Sequence, residues 1–298
     1  MKRLLVALAL AAHSASIVPA QADDRFIMAN GAEPQTLDPS LIKTASEYRI
    51  YLALFEGLVT SDPKTCKALP GVAESWSMND DFTQITFTLR KALWSDGEPI
   101  TAQTVVDSWI RTLTPSTAAD YAYRISMLVK GASDYNVGIT GAEAVQLRAL
   151  DERTFQVDLI GPMPYAVDMM AQHAFAILPM HVIRRHGKEW TNPDNLVTNG
   201  PYRLESWTKN HSLLVAKNER YWDAANVELE SIAFLPVLES RTAFNLYTQG
   251  TVDWMHDIPL DHLSETAQRA DYQVWPSIAP YYYVFNMTRP LFTDLRVR

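Results

Sequence analysis

The chain has 298 residues, a formal net charge of −8 and one cysteine, and its length suits one large domain or two of medium size. An acidic surface repels phosphate backbones, which argues against nucleic-acid binding, and Cys66 alone can close no internal disulfide, so packing must hold the fold. Beyond Ala22 no stretch is apolar for the roughly 18 residues a membrane helix needs, so the mature chain is expected not to span a bilayer.

In chain order, the first predicted feature is a secretory signal over residues 1–22. Lys2 and Arg3 give a positive start, Leu4 to Ala12 is apolar but short, and Ala20-Gln21-Ala22 supplies the small residues of a cleavage site. No cysteine lies near the expected cut, so no lipid anchor is expected and the product is read as periplasmic. Phe26 to Gly31 reads as a strand ending at a turn, and Glu33-Pro34 and Asp38-Pro39 mark a loop, because a residue before proline avoids the α region. Ile50, Leu54 and Leu58 recur at four-residue spacing and predict a helix from about Ser46 to Phe55, with Gly57 at its end. Asp62-Pro63 and Leu69-Pro70-Gly71 read as turns.

Gln84 to Arg90 alternates, with Ile85, Phe87 and Leu89 on one face and Thr86 and Thr88 on the other, which predicts a half-buried strand. After the turn signal Asp96-Gly97, Thr101 is the expected N-cap of a helix whose apolar face holds Val105, Val106, Trp109, Ile110 and Leu113, ended by Thr114-Pro115. Phe155, Val157 and Leu159 alternate again before the breaker Gly161-Pro162-Met163-Pro164, and Tyr165 to Ala176 is read as helix. Asn199-Gly200-Pro201 is a turn; Tyr202 to Leu204, Leu213 to Ala216 and Ile232 to Leu235 read as strands. Arg241 to Gln249 reads as a helix closed by Gly250, and Gln273 to Val284 is aromatic and β-prone. Helices and strands mix without strict alternation, which predicts an α/β protein with more than one sheet.

Signatures of catalysis are missing from the sequence. It has no G-x-S-x-G elbow, no phosphate loop, no G-x-G-x-x-G and no H-E-x-x-H. His173, His181, His186, His211, His256 and His262 are scattered, and His181 and His186, five apart, do not share a helix face. Asp80-Asp81 reads as a solvated loop, and Cys66, between Thr65 and Lys67, as a bystander. No catalytic residue, metal site or cofactor is expected.

One ordered series of motifs carries a resemblance. Asn30 to Pro39 (NGAEPQTLDP), Leu54 to Leu58 (LFEGL), Pro70 to Trp76 (PGVAESW), Phe87 to Arg90 (FTLR) and Trp94 to Ala102 (WSDGEPITA) come first. Asn199 to Tyr202 (NGPY), Tyr221-Trp222, Asn286 and Phe292 to Arg298 (FTDLRVR) follow. In this order they resemble the oligopeptide-binding proteins of ABC peptide importers, extracellular solute-binding protein family 5. The resemblance implies a periplasmic-binding-protein type 2-like α/β fold with several lobes and mixed sheets. It implies a first main lobe from 23–55 and 186–268, an inserted lobe from 56–185, and the opening strand of a second main lobe from 269–298. Trp76, Trp94 and Trp109 are expected in the core.

The resemblance also implies where ligand would touch. In the family an extended peptide is held like an added β-strand between two main lobes, and one holding segment corresponds to Lys43, Thr44 and Ala45. Many peptide binders of the family carry glutamate where this chain has Lys43. Tyr121 and Tyr282 match pocket tyrosines, and His256 lies near a polar pocket position. Val284 stands where glutamate is common, and Ser277 where an aromatic is. The implied partners are a peptide ligand and an inner-membrane ABC permease, with the receptor itself a monomer; relatives take di- and oligopeptides, cell-wall peptides, haem or nickel complexes. The family normally runs much longer, so most of the second ligand-binding lobe is expected to be missing. Three readings stand: a peptide receptor, a weakly binding fragment from a truncated or split gene, and a periplasmic hydrolase or chaperone on the same scaffold.

Overall fold

The structure, a computed structural model, describes residues 25–275 and 283–297. The expected signal segment, Ser277 and Tyr282 lie outside these residues. The strands are β1 (Arg25–Ala29), β2 (Val59–Ser61), β3 (Ala68–Pro70), β4 (Ala73–Met78), β5 (Gln84–Leu89), β6 (Leu147–Ala149), β7 (Thr154–Asp158), β8 (Tyr202–Thr208), β9 (Ser212–Lys217), β10 (Ser231–Leu235) and β11 (Trp254–Met255). The helices used below are α1 (Ala45–Leu54), α2 (Ala102–Leu113), α3 (Ala122–Ser126), α4 (Ala132–Asn136), α5 (Ala166–Met169), α6 (Met180–His186) and α7 (Ser240–Thr248).

Three sheets result among the described residues. A mixed five-stranded sheet runs β11-β1-β10-β9-β8, with β1 parallel to both β10 and β11 and the other pairs antiparallel. A four-stranded antiparallel sheet runs β4-β5-β7-β6, and β2 and β3 make a two-stranded ribbon. This is the mixed α/β architecture that the sequence pattern predicts.

The alternation in β5 becomes a packed face. Ile85, Phe87 and Leu89 are fully buried, and Phe87 stands opposite Trp76 on β4 and Phe155 on β7. The α2 stripe covers that face. Thr101 caps the helix with Thr104 in a reciprocal box, and Val105, Trp109 and Leu113 turn inward. Trp109 is wholly enclosed between Phe155 and Phe175, each 5.1 Å away ring to ring in edge-to-face geometry, and its Nε1–H donates to the Phe175 carbonyl at 3.0 Å. One hydrophobic core continues from here through Leu54 and Leu58 to Val215 and Phe234, so the two larger sheets share it.

The segment after α1 is clasped by polar groups. The Glu56 amide donates to Asn199 Oδ1 at 3.1 Å, and Asn199 Nδ2 returns a bond to the Glu56 carbonyl at 2.9 Å. The Glu56 carboxylate, 6% exposed, accepts from Tyr221 Oη at 2.6 Å and Trp222 Nε1 at 2.7 Å. Arg90 lies 3.4 Å from the centre of the Trp222 ring. Gly200 passes directly against the end of α1: a Cβ there would sit 2.7 Å from Leu54 C and Phe55 N. Gly200→Ala should therefore destabilise the fold by about 1 to 3 kcal/mol, measured by urea unfolding, because backbone cannot move aside as a side chain can. Unchanged stability would mean that the loop shifts freely.

Four local expectations need correction. Leu69 and Pro70 belong to β3 rather than a turn; a two-stranded ribbon has open edges and tolerates the missing N–H of proline. Gly57 does not close α1, which ends at Leu54; it forms an isolated bridge to Ala176 instead. Residues 165–176 hold only the four-residue α5 and a 3₁₀ turn (His173–Phe175), because Phe175 and Ala176 are drawn out to meet Trp109 and Gly57. Trp76 is only partly buried, unlike Trp94 and Trp109. In the β-prone stretch, residues 273–275 and 283–284 form no strand, and the rest lies outside the described residues.

Candidate functional site

The site is built around the N-terminus of α1. Glu47 sits three residues after the N-cap Thr44, and its carboxylate turns back to accept from the amides of Gln35 (2.9 Å), Lys43 (2.9 Å) and Thr44 (3.0 Å). Glu47 is buried, which pushes its carboxyl up, but the three backbone donors outweigh this and hold it below its ordinary value. This capping box went unpredicted, although Thr44 and Glu47 carry its S/T-x-x-E spacing. The Thr44 carbonyl accepts from Tyr48 N at 3.0 Å. Within Lys43–Ala45, the Lys43 carbonyl and the Ala45 N–H are left with no hydrogen-bond partner among the described residues. They offer one acceptor and one donor on either side of the extended Thr44, where the chain enters α1.

The five-stranded sheet fixes where this edge lies. Asn30, directly after β1, donates from Nδ2 to the Ser46 carbonyl at 3.1 Å. Its Oδ1 and carbonyl accept from Arg49 at 2.7 and 2.8 Å, and the same guanidinium lies 5.3 Å from the Trp254 ring of β11. The first half of α1 is thus fastened to the carboxyl ends of the parallel strands β1 and β11, the edge where open α/β sheets take their ligands.

Lys43 and Tyr121, seventy-eight positions apart in sequence, are brought together here. Lys43 Nζ meets Asp120 Oδ2 at 2.6 Å, and this bond raises the Lys43 pKa. Both side chains are more than half exposed, so the pair contributes little stability; its effect is to mask the lysine charge beside Tyr121. The Tyr121 ring stands 5.0 Å from that of His173, edge-on, with the Arg124 guanidinium 5.3 Å from the tyrosine ring centre. His173 is buried, and its Nδ1 lies 3.1 Å from the Pro39 carbonyl. A carbonyl only accepts, so the proton is assigned to Nδ1. Burial, with the Arg124 charge behind it, lowers the His173 pKa and keeps the ring neutral.

His256 follows β11 at the same sheet edge, exposed, with Nδ1 2.7 Å from Asp257 Oδ1 and its ring 6.1 Å from Trp254. It touches none of Lys43, Thr44, Ala45 or Tyr121 among the described residues. Tyr282 lies outside the described residues, and Val284 is exposed. His173 is the residue the sequence reading missed: it sits in a short apolar run, His173 to Leu178, with no spacing to mark it. Among the described residues no group of three or more His, Cys, Asp or Glu is placed to hold a metal ion, and no helix is long and apolar enough to cross a membrane.

Similar proteins share the sequence and the fold. The periplasmic oligopeptide-binding protein OppA of Salmonella typhimurium is 35% identical over 99% of this chain and 56% of its own length. The periplasmic murein peptide-binding protein MppA of Escherichia coli is 35% identical over 89% of this chain and 50% of its own. The crystal structure of Haemophilus influenzae OppA in complex with RPPGFSPFR superposes with a TM-score of 0.79 at 34% identity, covering 82% of this chain and 48% of that one. The chain spans about half the length of the relatives it matches, and those relatives are binding proteins rather than enzymes. Residues 67–298 match the family described as bacterial extracellular solute-binding proteins, family 5 Middle, and with this identity to OppA along nearly its whole length the chain belongs to that family of solute-binding proteins.

Proposed function

We propose that this chain forms part of a periplasmic receptor that captures peptides and delivers them to an inner-membrane ABC permease, by binding and without chemistry. The observation that carries the reading is the pair of open backbone groups, Lys43 C=O and Ala45 N–H, held at the carboxyl ends of β1 and β11 beside Tyr121. A peptide backbone needs such an alternating acceptor and donor to add as a strand. The names of the relatives, oligopeptide-binding and murein peptide-binding, support the same ligand class. In this proposal residues 23–55 and 186–268 make the first gripping lobe, 56–185 an inserted lobe, and 269–298 the start of the second. Tyr282 is the contact expected from the second lobe, and His256 a polar contact from the first, after β11. The lysine at position 43, paired with Asp120, presents no free anion to a peptide's amino end.

A peptide held at micromolar strength is bound by about 8 kcal/mol. If two lobes share that evenly, one alone retains about 4 kcal/mol, which is millimolar binding. The 298-residue chain is expected to show no thermal shift with a mixed peptide library at ~0.1 mM, whereas a chimera extended with the C-terminal half of OppA should be stabilised. The decisive variant is Ala45→Pro in that chimera. Position 45 is the first residue of α1, where proline is tolerated, and Thr44 is already extended as a residue before proline must be. The substitution removes only the open N–H. Peptide affinity should fall about tenfold with the melting temperature of the free protein unchanged; equal affinity would refute the strand-addition reading.

A further inference from the structure

Behind Tyr48 and Tyr51, away from the open edge of α1, lies a cavity of about 830 Å³ between α1, the β2–β3 ribbon and α5. Its size is that of pockets that enclose a small organic molecule, roughly 300 to 1,000 Å³. Its charged groups are unevenly satisfied. Asp168 holds Lys67 Nζ at 2.9 Å and the Ala68 amide at 2.8 Å. Asp62 accepts from the amides of Lys64 and Thr65 in its own turn, and Glu56 is bound by Tyr221 and Trp222. Arg124 is different: it has no carboxylate partner among the described residues, and its Nε is buried with no acceptor.

A second unmet donor lines the same space. Tyr51 is 4% exposed, its ring stacks on Tyr48 and Phe55, and its hydroxyl has no hydrogen-bond partner among the described residues. Burial pushes this phenol well above its ordinary pKa, so it stays a donor. Both Tyr51 and Arg124 border the cavity, and both flank His173, the first by ring contact at 6.3 Å and the second through Tyr121. The remaining wall mixes apolar and aromatic side chains, including Phe55, Tyr165 and Met169, with the polar side chains of Thr60, Ser61, Thr65 and Gln172 on the ribbon side and beside α5.

We infer that this cavity is a second binding site, separate from the peptide edge, for a small organic monocarboxylate with an aromatic or apolar body. The guanidinium of Arg124 and the hydroxyl of Tyr51 meet the carboxylate, and the tyrosine, phenylalanine and methionine side chains cover the body. Arg124 is partly buried and its enclosed Nε–H has no acceptor, which is costly, and an anion is what satisfies it.

The test is calorimetric titration of the purified 298-residue protein with 3-phenylpropionate and with its uncharged amide. The acid should bind at least about tenfold more tightly than the amide. Arg124→Met should reduce acid binding by about tenfold, and Tyr51→Phe, which keeps the buried ring and the fold, by about fivefold. Equal binding of acid and amide, no binding of either, or a Tyr51→Phe protein that binds like the parent would overturn the inference. So would a chimera carrying the C-terminal half of OppA that binds peptide but no longer binds the acid, because the groove would then be a seat for polypeptide.

Discussion

Trp109→Ala should cost about 3 to 5 kcal/mol of folding stability. The side chain has no exposed surface, and it joins α2 to Phe155 of the four-stranded sheet and to Phe175 of the following segment. Truncation opens a cavity that neighbouring rings cannot close without leaving their own contacts, and it strands the Phe175 carbonyl that its indole N–H now satisfies. Single domains are stable by about 5 to 15 kcal/mol in total, so the variant should be largely unfolded at moderate urea and rapidly degraded by protease. Trp109→Phe separates the two effects: it keeps most of the ring volume and should lose about 1 kcal/mol beyond the volume change through the lost hydrogen bond. Urea titrations of both proteins provide the check. A loss below about 1.5 kcal/mol for the alanine variant would contradict the packing described.

The second large effect is on pH dependence. Burial pushes the Glu56 carboxyl up from 4.5 to about 7, against the pull of its hydrogen bonds to Tyr221 and Trp222 and of the nearby Arg90, with Asp223 pushing further upward. The folded protein therefore keeps this proton through a range where the unfolded chain has lost it. The stabilisation is fully present below pH 4.5 and disappears as the pH rises through 7. A shift of this size corresponds to about 3 kcal/mol, as an order of magnitude. The protonated acid donates to one neighbour and accepts from the other, and a glutamine amide can do the same. Glu56→Gln should remove this contribution: the difference in unfolding free energy between variant and parent, measured from about pH 5 to about pH 8, should move in the variant's favour as the pH rises, leaving it the more stable at the alkaline end. Parallel curves would mean that Glu56 is ionised throughout.

The parts of this fold legible in the sequence were those written in local period or cap chemistry. Ile85, Phe87 and Leu89 face the core because alternation alone assigns them there, and Thr101 starts α2 where an N-cap residue precedes the apolar stripe. Residues 165–176 depart from the predicted helix for the complementary reason. Their composition permits helix, but the distant indole of Trp109 takes the Phe175 carbonyl, and a contact across sixty-six positions leaves no trace in local composition. The site divides in the same way. The ordered motifs pointed to Lys43, Thr44 and Ala45, yet only the fold reveals that Glu47 consumes two of their amides and leaves a single donor and a single acceptor open. Tyr121 was named from its motif, while its neighbour His173 has no sequence mark because its importance lies in which rings surround it.

The position of β1 has a consequence for how the molecule comes to be. This strand, the earliest in the described chain, has only late partners, the parallel β10 and β11 some two hundred residues downstream. The hairpin of β8 and β9 joins neighbours and can close as soon as both emerge. During synthesis, β1 must therefore remain an unmatched ribbon until nearly all of the described sequence has been delivered. That delay makes the docking of β1 the event that locks the five-stranded sheet.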